Sequence, residues 1–351
     1  MHDPDNHPRE NQSMPSYGMY CTRKDPVDVA LTDEGIIEVP GMMSCWIRLA
    51  NGERAHYMTA GESGPPVVLL HGGIPGSSGL AGWRMLAPLL AQAGFRIYCP
   101  DQPGFGLSDP SPQYWPVYGP YSHINFLERF VEALCLDEFF LSGNSMGCIN
   151  TSHYVVRYPH RVKKFILIAG PVGDLISFGT TDLKADVGWD GTRETMKKMM
   201  SSIIHRPEAI TDDLLEMRMR SADTHKDSWI AWQKATLHGE IPPDIATAMS
   251  TKNRLDRLEI PALCLYGKND LILPVQELGH RVEDALPRVQ FFYPDDCGHQ
   301  GQTDQPELFA QVFTEFFRYG RVSRDTADRA GVSDRRAEIP ELVEQRQTAK
   351  V

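Results

Sequence analysis

The sequence carries no paired-cysteine motif. Its seven cysteines stand at positions 21, 45, 99, 135, 148, 264 and 297, and no two have Cys-x-x-Cys spacing. That excludes a zinc ribbon and a thioredoxin-like redox site. Long apolar runs are missing too: none approaches the roughly 20 residues that span a bilayer. The opening stretch, MHDPDNHPRENQSMPSYG, lacks the apolar core of a signal peptide. Several thiols lie inside apolar runs, as in RIYC and ALCLY, and read as buried free thiols. With an odd number of them, a cytoplasmic protein is expected. Positive charge is in short supply, since 35 Lys and Arg face 46 Asp and Glu for a net charge of −11. A phosphate-binding surface needs clustered basic residues, so neither nucleic acid nor a membrane is expected as a partner. A small acidic substrate stays open, because one arginine in a pocket outweighs distant, screened charge. No cofactor or metal is expected.

What is present is a rhythm. Residues 1–40 are polar and proline-rich without periodicity, and read as an arm that is partly disordered or packed on the outside of the core. CWIRLA and RAHYMTAG read as two strands joined at the turn Asn51-Gly52. VVLL (67–70), FRIYC (95–99), FFLSG (139–143) and KFILIAG (164–170) read as buried strands. They alternate with helical patterns over WRMLAPLLAQAG (83–94), residues 122–136 and residues 148–158. Alternation of this kind predicts a mostly parallel central sheet with helices on both faces.

The rhythm breaks after Gly170-Pro171. Residues 174–255 show helical segments (TRETMKKMMSSII, DDLLEMRMRSAD, SWIAWQKATL) and no convincing strand, then PALCLYG (261–267) and VQFFY (289–293) restore the sheet. PELFAQVFTEFFRYG closes it with a helix. The expected division is therefore a core over 41–173 and 256–320, interrupted by a helical lid over 174–255. The charged stretch 321–351 is expected to form an exposed helix or a disordered tail. There are no internal repeats.

Chemistry concentrates at the ends of these strands. Gly143-Asn144-Ser145-Met146-Gly147 places a serine between a buried strand and a helix. This is the pattern of a nucleophile elbow, whose tight turn tolerates only small residues two before and two after the serine. The acid is expected after a later strand on the same rim, where Asp270 follows PALCLYG-Lys268-Asn269. Asp295 and Asp296 are rivals, but lie too close in sequence to the base to face it well. The base is expected last, and His299 in YPDDCGHQG completes the order Ser, Asp, His. In that arrangement His299 takes the proton of Ser145 and returns it to the leaving group, while Asp270 fixes the imidazole tautomer. After VVLL, His71-Gly72-Gly73 supplies bare glycines past which a substrate can approach. The N–H groups of Gly73 and Met146 are the expected oxyanion hole. His71 itself reads as structural.

Together these motifs resemble the meta-cleavage-product hydrolases, carbon–carbon bond hydrolases with the α/β-hydrolase fold, over about residues 60–319. His71-Gly72-Gly73-Ile74-Pro75-Gly76 is similar to that family's H-G-G-G-P-G segment, with Ile74 in place of a glycine. DQPGFGLSD (101–109), the elbow GNSMG and IAGPVG (168–173) are similar to further family segments. TRETMKKMMSSIIHRPEAITDDLLEMR is similar to a lid segment ending in an arginine that binds the substrate carboxylate, which the resemblance places at Arg218. An arginine four residues after Leu214 shares its helix face with an apolar residue, and its guanidinium suits a carboxylate. Arg220 is the alternative. By the same resemblance Asn144 orients the substrate, and Ile203, Met199 and Met200 line the apolar part of the pocket. A homo-oligomer, dimer or higher, is implied as well.

Two departures touch that pocket. The family carries a Trp after the catalytic His, where this chain has Gln300, and the loop GSSGLAGW is longer and lacks an Asn near its end. The expected function is serine-dependent hydrolysis of a small carboxylate-bearing substrate, most like a meta-cleavage-product hydrolase. The alternative is a carboxylesterase acting on a monoester that keeps a free carboxylate. A dehalogenase or epoxide hydrolase of this fold needs an Asp where Ser145 stands. A non-catalytic ligand-binding protein would have no use for an intact triad.

Overall fold

Short apolar segments between helices can bury both faces only by pairing with one another, and the computed structural model shows how they do so. It describes residues 30–175, 188–236 and 238–346. Eight strands form one sheet: β1 (Met42–Arg48), β2 (Arg54–Ala60), β3 (Pro66–Leu70), β4 (Arg96–Pro100), β5 (Phe139–Asn144), β6 (Val162–Ile168), β7 (Ala262–Leu265) and β8 (Val289–Phe292). Their order is β1-β2-β4-β3-β5-β6-β7-β8. The β1–β2 and β2–β4 pairings are antiparallel, and from β4 onward every pairing is parallel. β5 lies inside the sheet with all six residues buried, which is why FFLSGN lacks polar alternation. The register sets Leu70 beside Gly143, Gly143 beside Leu167 and Leu265 beside Phe292. The carboxyl ends of β3, β5 and β7 therefore open on one rim.

The helices are α1 (Gly79–Trp83), α2 (Ala87–Gln92), α3 (Pro120–Ala133) and α4 (Met146–Arg157), then α5 (Arg193–Ile203), α6 (Asp212–Thr224), α7 (Lys226–Thr236) and α8 (Pro243–Met249). The last four lie between β6 and β7. α9 (His280–Ala285), α10 (Gly301–Asp304), α11 (Pro306–Tyr319) and α12 (Arg324–Arg329) follow. The pattern over 83–94 predicts one helix, but two form. Pro88 has no N–H to continue a helix and sits in the first turn of α2. α1 starts earlier than the pattern suggests, because the Ser78 side chain accepts the Ala81 N–H at 3.0 Å and caps it. The pattern does not announce α8, since PDIATAM fully buries none of its side chains and only Ile245 and Met249 are half-buried. The part of the expected lid at 176–187, and the arm over 1–29, lie outside the described residues. Residues 30–40 pack: Ile36 is buried, and the Ala30 N–H bonds Asp213 of α6 at 3.1 Å.

The expectation of an exposed or disordered tail is corrected. Residues 321–346 fold against the open edge of the sheet at β8. The Tyr293 N–H donates to the Gly331 carbonyl at 2.7 Å and the Ser333 N–H to Phe291 at 2.9 Å, forming an antiparallel bridge between Phe292 and Val332. Val322, Ala327, Ala330, Leu342 and Val343 are buried beneath. Arg335 reaches the buried carboxylate of Glu283 at 2.9 Å. Composition misleads here because the charged residues anchor the segment while a few small apolar ones bury it.

Ending the chain at Gly320 removes those five apolar contacts and bares the β8 edge. At about 1–2 kcal/mol for each larger side chain, and roughly 2 °C per kcal/mol in a chain of this size, Tm is expected to fall by about 10 °C. The exposed edge also favours aggregation. Calorimetry and light scattering on the truncated chain check this, and an unchanged Tm would refute it.

Candidate active site

Ser145 stands between β5 and α4 with φ 56° and ψ −116°, a conformation L-residues rarely adopt. Holding it costs on the order of 1–3 kcal/mol, so the surroundings must over-determine it. They do. The Ser145 N–H bonds the Ile168 carbonyl at 2.9 Å. A Cβ on Gly143 would stand 2.0 Å from the Gly147 carbonyl oxygen, and one on Gly147 2.3 Å from that of Leu70. A Cβ on Gly170 would stand 2.6 Å from the Ser145 oxygen. Three backbones meet here with no space for side chains, which is the physical content of the G-x-S-x-G spacing.

Asp270 and His299 come together on the same rim. The His299 Nδ1–H donates to Asp270 Oδ2 at 2.7 Å, and Asp270 Oδ1 accepts the N–H groups of Ile272 and Leu273, each at 2.9 Å. A carboxylate only accepts, so this pair fixes the neutral tautomer with Nε2 unprotonated. Both residues are buried and Ser145 half-buried. Their loops are locked: the Asn269 N–H bonds the Cys297 carbonyl at 2.8 Å, and a Cβ on Gly267 would meet the Cys297 and Gly298 oxygens at 2.4 Å. Asp295 is exposed and paired with Lys268 at 2.8 Å, turned away from the imidazole. No hydrogen bond joins Ser145 Oγ to His299 among the described residues. Such bonds are often long in unliganded enzymes and tighten with substrate.

Asn144 joins two loops of the site. Its Nδ2 donates to the carbonyls of His299 at 2.9 Å and Ile168 at 3.2 Å, so the amide ties the His299 loop to the elbow. Its Oδ1 is buried without a partner, on the side of Gly72. Gly72 lies against Ser145, where an added Cβ would be 3.4 Å from the serine Cβ. Gly73 lies against Met146: a Cβ there would meet its Cβ at 2.9 Å and Trp232 at 3.1 Å. His71 uses both ring nitrogens, with Nδ1 on the Gly72 carbonyl at 2.7 Å and Nε2 accepting the Gln102 N–H at 3.0 Å. Burial pulls its pKa down to about 4, so it stays neutral.

The inserted helices close over this rim. The α5 residues Met199, Met200 and Ile203 are buried, and the Ile203 carbonyl accepts the Gln300 N–H at 2.9 Å. Gln300 is buried with Oε1 unpartnered. The α7 residue Trp229 donates its indole N–H to the Gly73 carbonyl at 3.2 Å, while Trp232 packs with Phe105 and Met146, its own N–H buried and unpartnered. The order of residues gave no hint of these contacts. The one local signal is that Trp229 and Trp232, three apart, share a helix face.

Arg218 is fully buried on α6. Its one hydrogen bond runs from Nη1 to the Pro75 carbonyl at 3.5 Å, its Nε has no partner, and no carboxylate pairs with it among the described residues. Burial, and then the charge of the neighbouring Arg84, pull its pKa down to about 9. Arg220 is exposed and paired with Glu216 at 3.1 Å. Phe105, Trp229 and Trp189 line a cavity of about 240 Å³ beside these helices, and Ser145 does not line it.

A second Ser-His-Asp string needs separating from the first. Ser44 Oγ lies 3.0 Å from His56 Nε2, and His56 Nδ1 lies 2.7 Å from Asp101 Oδ2. The Ser44 hydroxyl, however, donates to Glu34 at 2.5 Å and stands on a regular strand. Asp101 also accepts the Gly79 and Leu107 N–H groups, each at 2.7 Å, which makes it a fastener of loops.

With this geometry described, likeness to known proteins becomes informative. Residues 65–198 match the model of the alpha/beta hydrolase fold family. A 2-hydroxy-6-oxononadienedioate/2-hydroxy-6-oxononatrienedioate hydrolase of Paraburkholderia phymatum is 30% identical over 271 residues, covering 75% of this chain and 90% of that protein. The chain belongs to the α/β-hydrolase family, in the meta-cleavage-product hydrolase group. A similarly named hydrolase of Pseudomonas putida is 30% identical over 290 residues, covering 79% of this chain and 96% of its own. Among solved structures, the fold matches a meta-cleavage product hydrolase from Pseudomonas fluorescens IP01 with a TM-score of 0.64 at 24% identity, covering 79% of this chain and 98% of that one. The α/β-hydrolase sheet, with its mostly parallel order, is thus shared across the group.

Asp270→Asn would leave the imidazole in place but favour the wrong tautomer. Turnover is expected to fall on the order of 10⁴-fold, with little change in Tm. Steady-state kinetics beside a thermal melt check this, and kcat within tenfold of the unaltered protein would refute it.

Proposed function

We propose that this chain hydrolyses a small carboxylate-bearing substrate, cleaving the carbon–carbon bond next to a carbonyl, as in a ring-fission product of the 2-hydroxy-6-oxo-dienoate class. One observation carries the reading. The His299–Asp270 pair stands beside Ser145 under a lid whose buried Arg218 has no anion to balance it among the described residues. An unpaired buried guanidinium is costly to the fold, and a substrate carboxylate removes that cost when it binds. The names of the relatives from Paraburkholderia phymatum and Pseudomonas putida point to the same class of substrate.

In this reading the dienol substrate is first converted to its keto form, which places an electron sink next to the bond to be broken. His299 Nε2 then accepts the proton of Ser145, or of a water, as the oxygen adds to the carbonyl. The negative oxygen formed is stabilised by the N–H groups of Gly73 and Met146, helped by the N-terminus of α4. The carbon–carbon bond breaks with its electron pair leaving on the enol fragment, which takes up a proton. Water delivers hydroxyl to the acyl fragment, so two acids depart. Asp270 keeps the imidazolium oriented throughout. Asn144 acts by pinning the His299 loop, while Gly72, Ile203 and Gln300 border the substrate.

The deciding assay offers a 2-hydroxy-6-oxo-dienoate, followed by loss of its conjugated absorbance, beside a monoester with a free carboxylate. Turnover of the dienoate that vanishes in Ser145→Ala is expected. Turnover of the monoester alone would overturn carbon–carbon cleavage in favour of a carboxylesterase.

Arg218→Met is expected to separate stability from function. Losing a charge-assisted carboxylate contact, worth about 1.5–3 kcal/mol, should raise KM for the acidic substrate by roughly 10- to 100-fold. Removing a buried unpaired charge should meanwhile raise Tm by a few degrees. A lower Tm with unchanged KM would refute the carboxylate role.

A further inference from the structure

Asp304 lies five residues after His299, is fully buried, and is used by no step described above. Its carboxylate joins two parts of the chain that are distant in sequence. Oδ1 accepts the N–H groups of His205 at 2.9 Å and Arg206 at 3.0 Å, directly after α5. Oδ2 accepts the N–H of Gly298 at 2.8 Å, the residue immediately before His299. Two further bonds reinforce the junction. The Gln300 N–H donates to the Ile203 carbonyl at 2.9 Å, and Arg206 Nη1 to the Asp304 carbonyl at 2.9 Å. The fit is close: a Cβ on Gly298 would meet the His205 nitrogen and the Ile203 oxygen at 3.1 Å and Asp304 Oδ2 at 3.3 Å.

A carboxylate is suited to this place because it offers two oxygens that only accept. An amide of the same shape turns an N–H toward at least one of the three donors. Burial pushes the Asp304 carboxyl above the ordinary carboxylate value, so the fold bears a cost for this group. A packing role alone is met more cheaply by an apolar residue.

We propose that Asp304 is a positioning residue that binds the end of lid helix α5 and the His299 loop into one body, so that the lid's contact with substrate at Ile203 and the placement of the His299 imidazole are set together. This rests on His299 acting as the base of Ser145. A misplacement on the order of 1 Å at a reacting group costs about 100-fold in rate, and freeing the Gly298–His299 backbone is a change of that kind.

The test is D304N, read by kcat, KM and the rate at which a fluorophosphonate labels Ser145, beside circular dichroism and Tm. The expected result is a native spectrum, kcat and labelling rate each lowered roughly 10- to 100-fold, and KM changed less than threefold. A lower Tm with kcat and labelling within twofold of the unaltered protein would overturn the proposal, because a merely structural residue behaves so. If D304N does not fold, Gly298→Ala wedges the same junction from its other side. It is expected to slow labelling without touching the carboxylate, and labelling at the unaltered rate would overturn the proposal equally. His299→Ala run in parallel separates the two readings. If that variant still labels at the unaltered rate, the base assignment fails, not the junction.

Discussion

The backbone at Ser145 is held in its unfavourable conformation by three neighbouring segments that have no side chains to interpose: Gly143 against Gly147, Gly147 against the end of β3, and Gly170 against the serine carbonyl. Much else in the molecule follows from that contact. It sits at the end of β5, a strand inside the sheet whose two neighbours, β3 and β6, both run parallel to it. It aims the N-terminus of α4 across the rim. It also sets the height at which the loops after β7 and β8 must arrive to meet the serine. Asn144, one residue earlier, is fixed by the same turn and reaches across to the His299 carbonyl, so the elbow carries its partner's loop as well as its nucleophile.

The protein buries several charges and treats them in two ways. Asp101, Asp270 and Asp304 are each met by two or more backbone N–H groups, which hold a carboxylate without a full counter-ion. Arg218 is treated oppositely: among the described residues it has a single long bond to a carbonyl, and a second guanidinium lies nearby. A fold selected for stability alone would not keep it so. On the reading proposed above, the contrast separates buried carboxylates that serve architecture from a guanidinium that meets the substrate. The two Ser-His-Asp strings make a similar point, since the ring geometry alone does not distinguish them. What differs is the fate of the hydroxyl proton and the strain at the serine.

The strand-and-helix rhythm was legible because burial on both faces leaves continuous apolar runs such as VVLL and KFILIAG. The order Ser145, Asp270, His299 was legible because it follows from the connections of the sheet. Residues acting over long sequence distances were not. Asp304 bonds His205 and Arg206 almost a hundred positions away, and nothing in GHQGQTDQP announces it. Trp229 and the Gly73 carbonyl are 156 positions apart, and the spacing of Trp229 and Trp232 marks a helix face without saying what it meets. The tail was misread because Arg335 and Arg324 suggest solvent, whereas each has a buried or half-buried carboxylate to meet. Pattern reports what a segment buries, not which distant carbonyl it finds.

The bond from the Trp229 indole to the Gly73 carbonyl joins an inserted helix to the loop after β3. On the reading proposed here, Gly73 contributes a donor to the negative oxygen, and Trp232 of the same helix leans on Met146, which contributes the other. Helix α7 thus braces both donors at once, one through a hydrogen bond and the other through packing. The two halves of the cradle follow different strands, yet they share one supporting helix. A change on this one helix face therefore reaches both of them together.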